Sequence, residues 1–479
     1  MAPGSLALLG VVCGSAVAVA DLNALYLCVS LLGCVFILRD FRIGVVLLIV
    51  LMPVSSSSVF PRAMLGITGF NPLNLLLVGT LGSCLLHGLF DGSIRRFLPG
   101  PLLWLYLVPF LIAGAMGSRH VGDIPPAFFA YGVLDFHDAA GYVRDLVVKP
   151  LFMVIFALLV GAAVSRSRKP ENFVVPTLIS IWVMGLMVIV FVSLSGVALS
   201  QLASSTSRGF LSPLGMHAND LGRLYAVAYA LLLFICAESK DAGLRLALLV
   251  SMGIVVVALI LTFSRGAFLG FIVVNVLFLL WRRNAKTLIF AVLLAAGALF
   301  ALPGAVYDRV TTGYGEGLNV ISAGRIEEIW LPLLPEALRS PIYGSGLGSM
   351  LWSETMRGAG TTMLGITQAH NAYLETVLDM GIAGLILVCA YLVLLWKGFR
   401  ALGVDPSLSP TLRGFFQGAA AGLASLLVAD IVGSRLTPSA EQVFLWLAIG
   451  MMYGQRARNT GDLKVARQYV DAGSRAQSA

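Results

Sequence analysis

Apolar runs of bilayer length follow one another along most of this chain, broken by connectors that carry arginine and lysine. A helix needs about 20 apolar residues to cross a bilayer core. Inside lipid every backbone N–H and C=O must be satisfied by the chain itself, so only helices and closed barrels span it. The runs are continuous and do not alternate every second residue, which selects helices. Charged residues make up 12% of the 479-residue sequence, about half of the roughly 25% that a soluble domain carries. The expected fold is therefore all-α: a polytopic transmembrane helical bundle of about 14 spans with a long outer loop containing short helices.

The segments read as spans are 5–20, 22–38, 41–55, 71–90, 98–116, 146–165, 174–197, 219–238, 243–262, 266–281, 287–303, 373–396, 414–432 and 440–454. This divides the chain into a bundle of the first eleven spans (1–303), a long loop (304–372), the last three spans (373–455) and a tail (456–479). One set of short connectors, with the tail, holds 20 of the 32 basic residues, among them Arg39, Arg42, Arg166, Arg168, Lys169, Arg282, Arg283 and Arg413. The positive-inside rule makes that side cytoplasmic and puts both termini there. The longer loops, 56–70, 117–145, 198–218 and 304–372, then face outward, where ATP and nucleotide sugars are absent. Ala16 to Ala20 before Asp21 resembles a signal-peptidase site, but no basic residue precedes the apolar stretch, so a retained first span is expected.

Several functions are disfavoured by composition. The net charge of +8 is scattered between apolar runs and not gathered on one face, which argues against nucleic acid. The six cysteines, Cys13, Cys28, Cys34, Cys84, Cys236 and Cys389, lie within apolar runs without CxxC spacing, so they read as packing residues. Asp135, His137 and Asp138 read as solvated residues of an outer stretch, and no metal or other cofactor is expected.

Four polar sequences stand at the outer boundary, where unpaired polar groups cost several kcal/mol, on the order of 2–7. The first, Ser212 to Arg223, leads into a span; Asn219 or Asp220 suits the helix cap, leaving His217 beside it and Arg223 within the first turns, where it must pair or snorkel. The second, Thr262-Phe263-Ser264-Arg265-Gly266, is a tight turn with Ser264 as a cap. The free N–H groups of that helix start favour an anion, and Arg265 adds a planar cation suited to two phosphate oxygens. The third, Gly324 to Trp330, opens a short amphipathic helix expected to end before Pro341, with Arg325 near its start. The fourth is Gln368-Ala369-His370-Asn371-Ala372-Tyr373-Leu374-Glu375. There Asn371, Glu375 and Asp379 form one helical stripe that must face the bundle interior or a wet cavity, and His370 can accept a proton near neutral pH. Asp430 is expected to pair with one of these arginines. Gly344 to Ser349 lacks the lysine of a Walker sequence and reads as a flexible turn.

In this order, His217-Ala218-Asn219-Asp220-Leu221-Gly222, Ser264-Arg265-Gly266-Ala267, Gly324-Arg325 with Trp330 and Ser340 to Gly346, Ala369 to Glu375, and Met380-Gly381-Ile382-Ala383-Gly384-Leu385 resemble the bacterial O-antigen ligase and O-antigen (Wzy-type) polymerase family, most strongly over 212–390. Ala218 stands where many members have proline. The resemblance implies an inner-membrane glycosyltransferase of lipopolysaccharide or exopolysaccharide assembly. It would move a glycan from a polyprenyl (undecaprenyl) diphosphate carrier to a glycan or lipid A-core acceptor at the periplasmic face, without a metal. Carried over, Arg265 and Arg325, with Arg223, would bind the diphosphate and His370 would act as base or orient the acceptor, supported by His217, Asn219, Asn371 and Glu375. The number of spans leans toward a polymerase. The rival class is a transporter of lipid-linked glycan, using Glu375, Asp379 and Asp430 as a proton relay; the boundary position of the polar sequences and the lack of a visible repeat weigh against it.

Overall fold

The computed structural model describes residues 26–459 apart from 58–59, 62, 65–66, 91–97, 199–200, 202–204, 285–287, 290–291, 294–296, 298–303, 312–314, 316, 360–364 and 434. The expected segment 5–20, most of 287–303 and the tail 460–479 lie outside these residues. The described chain is a polytopic helical bundle. Nine of its helices are long and apolar enough to cross a membrane: α3 (Pro72–Phe90), α4 (Gly100–Asp123), α5 (Ala139–Ser165), α6 (Pro170–Leu194), α7 (Ala218–Glu238), α8 (Ala242–Leu261), α9 (Arg265–Arg282), α11 (Ala372–Gly403) and α12 (Pro410–Ala429). Two shorter apolar helices precede them, α1 (Tyr26–Arg39) and α2 (Phe41–Val54). A last helix, α13, covers 443–459. The only strand pairing among the described residues is a two-rung hairpin, Ala63–Met64 against Ile67–Thr68.

Helix α7 is the axis of the bundle, buried from Leu221 to Cys236 on every side. Its closest partner is α12, which presents Gly414, Gly418 and Gly422 at a spacing of four, so that backbones approach where larger side chains would hold them apart. A Cβ on Gly418 would lie 2.6 Å from the Ala230 carbonyl oxygen. By contrast, α8 and α9 expose apolar side chains such as Leu249, Val257, Ile272 and Val276. Such an outer surface is stable only against lipid, which makes this a multi-pass membrane protein.

Contacts between helix ends sort the connectors into two groups. Arg282 pairs with Glu238, Arg413 reaches the same carboxylate at 3.4 Å, and Gln417 donates to the Gly403 carbonyl at 2.7 Å. Arg458 donates to the Ser167 carbonyl, and Arg166 lies over the Phe41 ring at 5.2 Å. These basic connectors thus share one end of the bundle. At the other end Arg357 approaches Asp123 at 3.7 Å, Leu347 N–H donates to the Ala113 carbonyl at 3.0 Å, and Arg223 approaches Glu441 at 3.4 Å. The long loops meet there. The outer loop expected over 117–145 is shorter than that, because α4 runs to Asp123 and α5 begins at Ala139.

The stretch read as a flexible glycine turn is instead a buried strap. Helix α11 is interrupted at Gly381, whose φ is +68°. The interruption leaves backbone groups without helical partners, and the strap supplies them. Ser345 and Gly346 N–H donate to the Leu378 and Asp379 carbonyls at 2.8 and 3.0 Å, while Ile382 and Ala383 N–H donate to the Pro341 and Ile342 carbonyls at 2.8 and 3.2 Å. A side chain on Gly381 would collide with the Ile342 carbonyl as well as strain the backbone. Gly381→Ala is expected to cost about 1–3 kcal/mol and lower the melting temperature of the detergent-solubilised protein. Gly253→Ala, in the interior of α8 where an added Cβ meets nothing within 4 Å, is the matched control and should not lower the melting temperature, and can raise it slightly.

Candidate functional site

The site grows from four helix starts at the long-loop end. At the head of α7 the cap is neither Asn219 nor Asp220 but His217, whose Nδ1 accepts from the Asn219 N–H at 3.2 Å. Asp220 turns instead to Arg223, 2.6 Å away and one turn on. The Arg223 side chain is 4% exposed and also faces Asp430 at 3.6 Å and Glu441 at 3.4 Å. The expected partnership with Asp430 is present, but three carboxylates now share this guanidinium. Its charge is balanced within the fold.

The α8–α9 turn is pressed onto α7. Gly222 lets Thr262, Ser264 and Ala267 pack close, and a Cβ there would lie 3.0 Å from Thr262 Oγ1 and 3.1 Å from the Ser264 Cβ. Phe263 takes φ +49° to close the turn. Ser264 caps α9 as expected, its Oγ accepting from the Ala267 N–H at 3.3 Å. Arg265, half-buried, is the first residue of α9. Gly266 faces Val432, whose Cγ2 would be 3.4 Å from an added Cβ.

Arg325 stands at the cap of a wide turn, Ile326–Trp330, that runs into α10 (Leu331–Arg339). Ile329, Leu333 and Ala337 are the buried stripe of this amphipathic element. It ends at Ser340, before Pro341, where the sequence placed its end. Arg325 Nη1 donates to the Val432 carbonyl at 3.4 Å, and Trp330 Nε1 donates to the Ala369 carbonyl at 2.9 Å.

His370 follows, in the left-handed region at φ +51°. Backbone strain of this kind collects at functional sites when the surroundings hold it in place, and here both neighbours are fastened. Ala369 N–H donates to Glu375 Oε2 at 3.1 Å, and Asn371 Oδ1 caps α11 by accepting from Tyr373 and Leu374 N–H at 3.1 and 3.0 Å. Glu375 and Asp379 are buried, as their stripe required. Asp379 Oδ1 accepts from Ser349 Oγ at 2.9 Å, and Glu375 Oε1 lies 3.2 Å from Arg435 Nε.

The described atoms therefore meet around one segment, 430–435, between α12 and α13. Its Asp430 carbonyl accepts from the Ala372 N–H at 3.0 Å, tying it to α11 just after His370. Val432 touches the Arg325 and Arg265 neighbourhoods, and Arg435 reaches Glu375. Arg435 is the residue that sequence reasoning missed. It sits in the seven-residue connector 433–439 between two apolar runs. The only signal was a second Ser-Arg pair, Ser434-Arg435, echoing Ser264-Arg265. Asp135, His137 and Asp138 are exposed, as expected of a solvated stretch: Asp138 caps α5 by accepting from the Gly141 N–H at 2.7 Å, and His137 lies beside the Phe129 ring.

With that geometry in hand, residues 249–389 match the model of the family described as O-antigen ligase. This stretch is thus similar to O-antigen ligases. The match encloses Arg265, Arg325, His370, Asn371 and Glu375, and stops short of His217, Asn219, Arg223 and Arg435. No curated protein matches the chain. The protein is thus a membrane O-antigen ligase-like protein.

Removing the Arg223 guanidinium should unbalance three acidic groups at once. Arg223→Met is expected to destabilise the detergent-solubilised protein by about 3–5 kcal/mol. In an Asp430→Asn background the same substitution should cost less, and a double-mutant cycle on melting temperatures reads the difference.

Proposed function

We propose that the protein transfers a glycan from a polyprenyl diphosphate carrier to a sugar hydroxyl of an acceptor, at the face where the long loops gather. The observation that carries this reading is that Val432 accepts from Arg325 and lies against Gly266, next to Arg265, while the Asp430 carbonyl accepts from the Ala372 N–H just after His370. The basic connectors at the opposite end support a site facing away from the cytoplasm, by the positive-inside rule; in a bacterial inner membrane that side is the periplasm. No nucleotide is needed there, because the carrier diphosphate is itself the leaving group.

In this mechanism Arg265 and the start of α9 hold the diphosphate together with Arg325. Planar guanidinium groups pair two phosphate oxygens at once, and the free N–H groups of a helix start favour an anion. His370 takes the proton of the acceptor hydroxyl as its oxygen attacks the anomeric carbon from the side opposite the phosphate. The bond from that carbon to the phosphate oxygen breaks, the anomeric centre inverts, and the carrier diphosphate departs with its electron pair. The two arginines stabilise the charge that grows on it. His217 and Asn371 cap the helix starts, His217 by accepting from the Asn219 N–H, and Arg435, through Glu375 and the Ala369 N–H, holds the His370 turn. Arg223 serves the scaffold and does not touch the diphosphate. A glycan transporter would use Glu375, Asp379 and Asp430 as a relay, whereas these groups pair with Arg435, Ser349 and Arg223.

Purified protein in detergent, given a carrier-linked glycan and an acceptor without any ion gradient, is expected to form longer product. His370→Ala should lower the rate at least about 100-fold, and Arg265→Ala by about 100- to 1,000-fold, with unchanged elution as a folded species. A normal rate from the His370→Ala protein rejects its catalytic role, and no product from the parent protein rejects the transferase reading. A ladder of products marks a second carrier-linked glycan as acceptor; a single addition to a lipid A-core marks a ligase.

A further inference from the structure

A cleft of about 700 Å³ opens at the end of the bundle opposite this site, between the starts of α2 and α6 and the end of α5. Four cations line it: Arg42 from one connector and Arg166, Arg168 and Lys169 from another. No acidic residue is among its lining residues. Two apolar side chains, Val46 and Phe173, complete the wall on the side of the helices. The cations come from connectors more than a hundred residues apart in sequence, and the fold brings them to one concavity. An ordinary basic loop of a membrane protein has no need of that convergence.

Local bonds hold the lining in place. Arg42 makes a two-pronged contact with Asp40, at 2.9 and 2.7 Å, and this bonding holds the Asp40 carboxyl below the usual range. Arg166 lies over the Phe41 ring. The Arg458 guanidinium of α13 donates to the Ser167 carbonyl, fastening the second connector from outside the cleft. Arg168 and Lys169 are exposed and point their charge toward any anion that enters. Val46 is also exposed, so the cleft is continuous with the lipid-facing surface of α2.

We propose that this cleft binds the phosphate headgroup of an anionic phospholipid from the leaflet opposite the transfer site. Phosphate is the chemistry that several converging cations select. The continuity with the apolar face of α2 favours a headgroup carried on acyl chains over a free ion. Basic pockets between transmembrane helices recognise such headgroups.

The test uses the full-length protein in nanodiscs of neutral phosphatidylcholine, titrated with phosphatidylglycerol and, separately, with inorganic phosphate, reading melting temperature and lipid retained in native mass spectra. Arg168→Gln/Lys169→Gln removes two exposed cations without touching Arg42 or Arg166. Lys240→Gln/Lys397→Gln removes the same charge from exposed positions at the same end, outside the cleft. Phosphatidylglycerol is expected to raise the melting temperature of the parent and of the Lys240/Lys397 variant alike, while the Arg168/Lys169 variant needs about tenfold more lipid for the same shift. Equal responses from both variants reduce the effect to general charge and overturn the proposal. So does saturation by inorganic phosphate alone, which would make the ligand a free anion, and so does no response from the parent. Glycan transfer, measured on the same samples, reports separately on the opposite face.

Discussion

A guanidinium taken out of water must be surrounded by acceptors, and the Arg223 cluster is where this chain meets that demand. One buried cation gathers Asp220 from its own helix, Asp430 from the end of α12 and Glu441 from the approach to α13. Three separate parts of the sequence are thereby held against the head of the central helix. A buried ion cluster of this kind contributes little net stability compared with a well-packed apolar alternative, yet breaking it is costly. Its consequence here is positional. It sets where segment 430–435 begins; Arg325, α9 and α11 touch that segment, and its own Arg435 reaches Glu375.

A second constraint is the backbone itself. In lipid, a helix cannot be interrupted unless another part of the protein takes up the freed N–H and C=O groups. Helix α11 is interrupted at Gly381, and the strap 341–347 makes the bonds that the helix gives up. The long loop is therefore stitched into the bundle here, and also where Leu347 N–H donates to the Ala113 carbonyl and Arg325 to the Val432 carbonyl. The strained His370 backbone is held by neighbours on each side, a rigid setting suited to a group that must meet a hydroxyl in one orientation.

Much of this was legible in the sequence, for a reason that differs from residue to residue. The Ser264 cap, the amphipathic stripe ending before Pro341 and the inward face of Glu375 and Asp379 are local consequences of spacing on one helix, and local spacing is what a sequence records. The His217 cap was assigned to its neighbours because Asn and Asp are the commoner caps, and Asp220 proved to be engaged by Arg223. The glycines at 344–348 read as looseness because glycine permits both a mobile turn and a close backbone approach; only the partner across the gap distinguishes them. Arg435 was passed over because a seven-residue connector carries no periodicity to read.

Lipid as solvent made the class of fold readable from composition alone: with so few charges and such long apolar runs, no other architecture satisfies the backbone. The sorting of basic connectors to one end was equally legible, since each connector reports its own charge. Which arginine is spent on the scaffold and which remains near the His370 turn was not, because Arg223, Arg265, Arg325 and Arg435 look alike along the chain. Their partners lie far off in sequence, on helices whose packing against α7 depends on close backbone approach at Gly222, Gly414 and Gly418. That choice belongs to three-dimensional packing, where a guanidinium is defined by the carboxylates and carbonyls within reach of it.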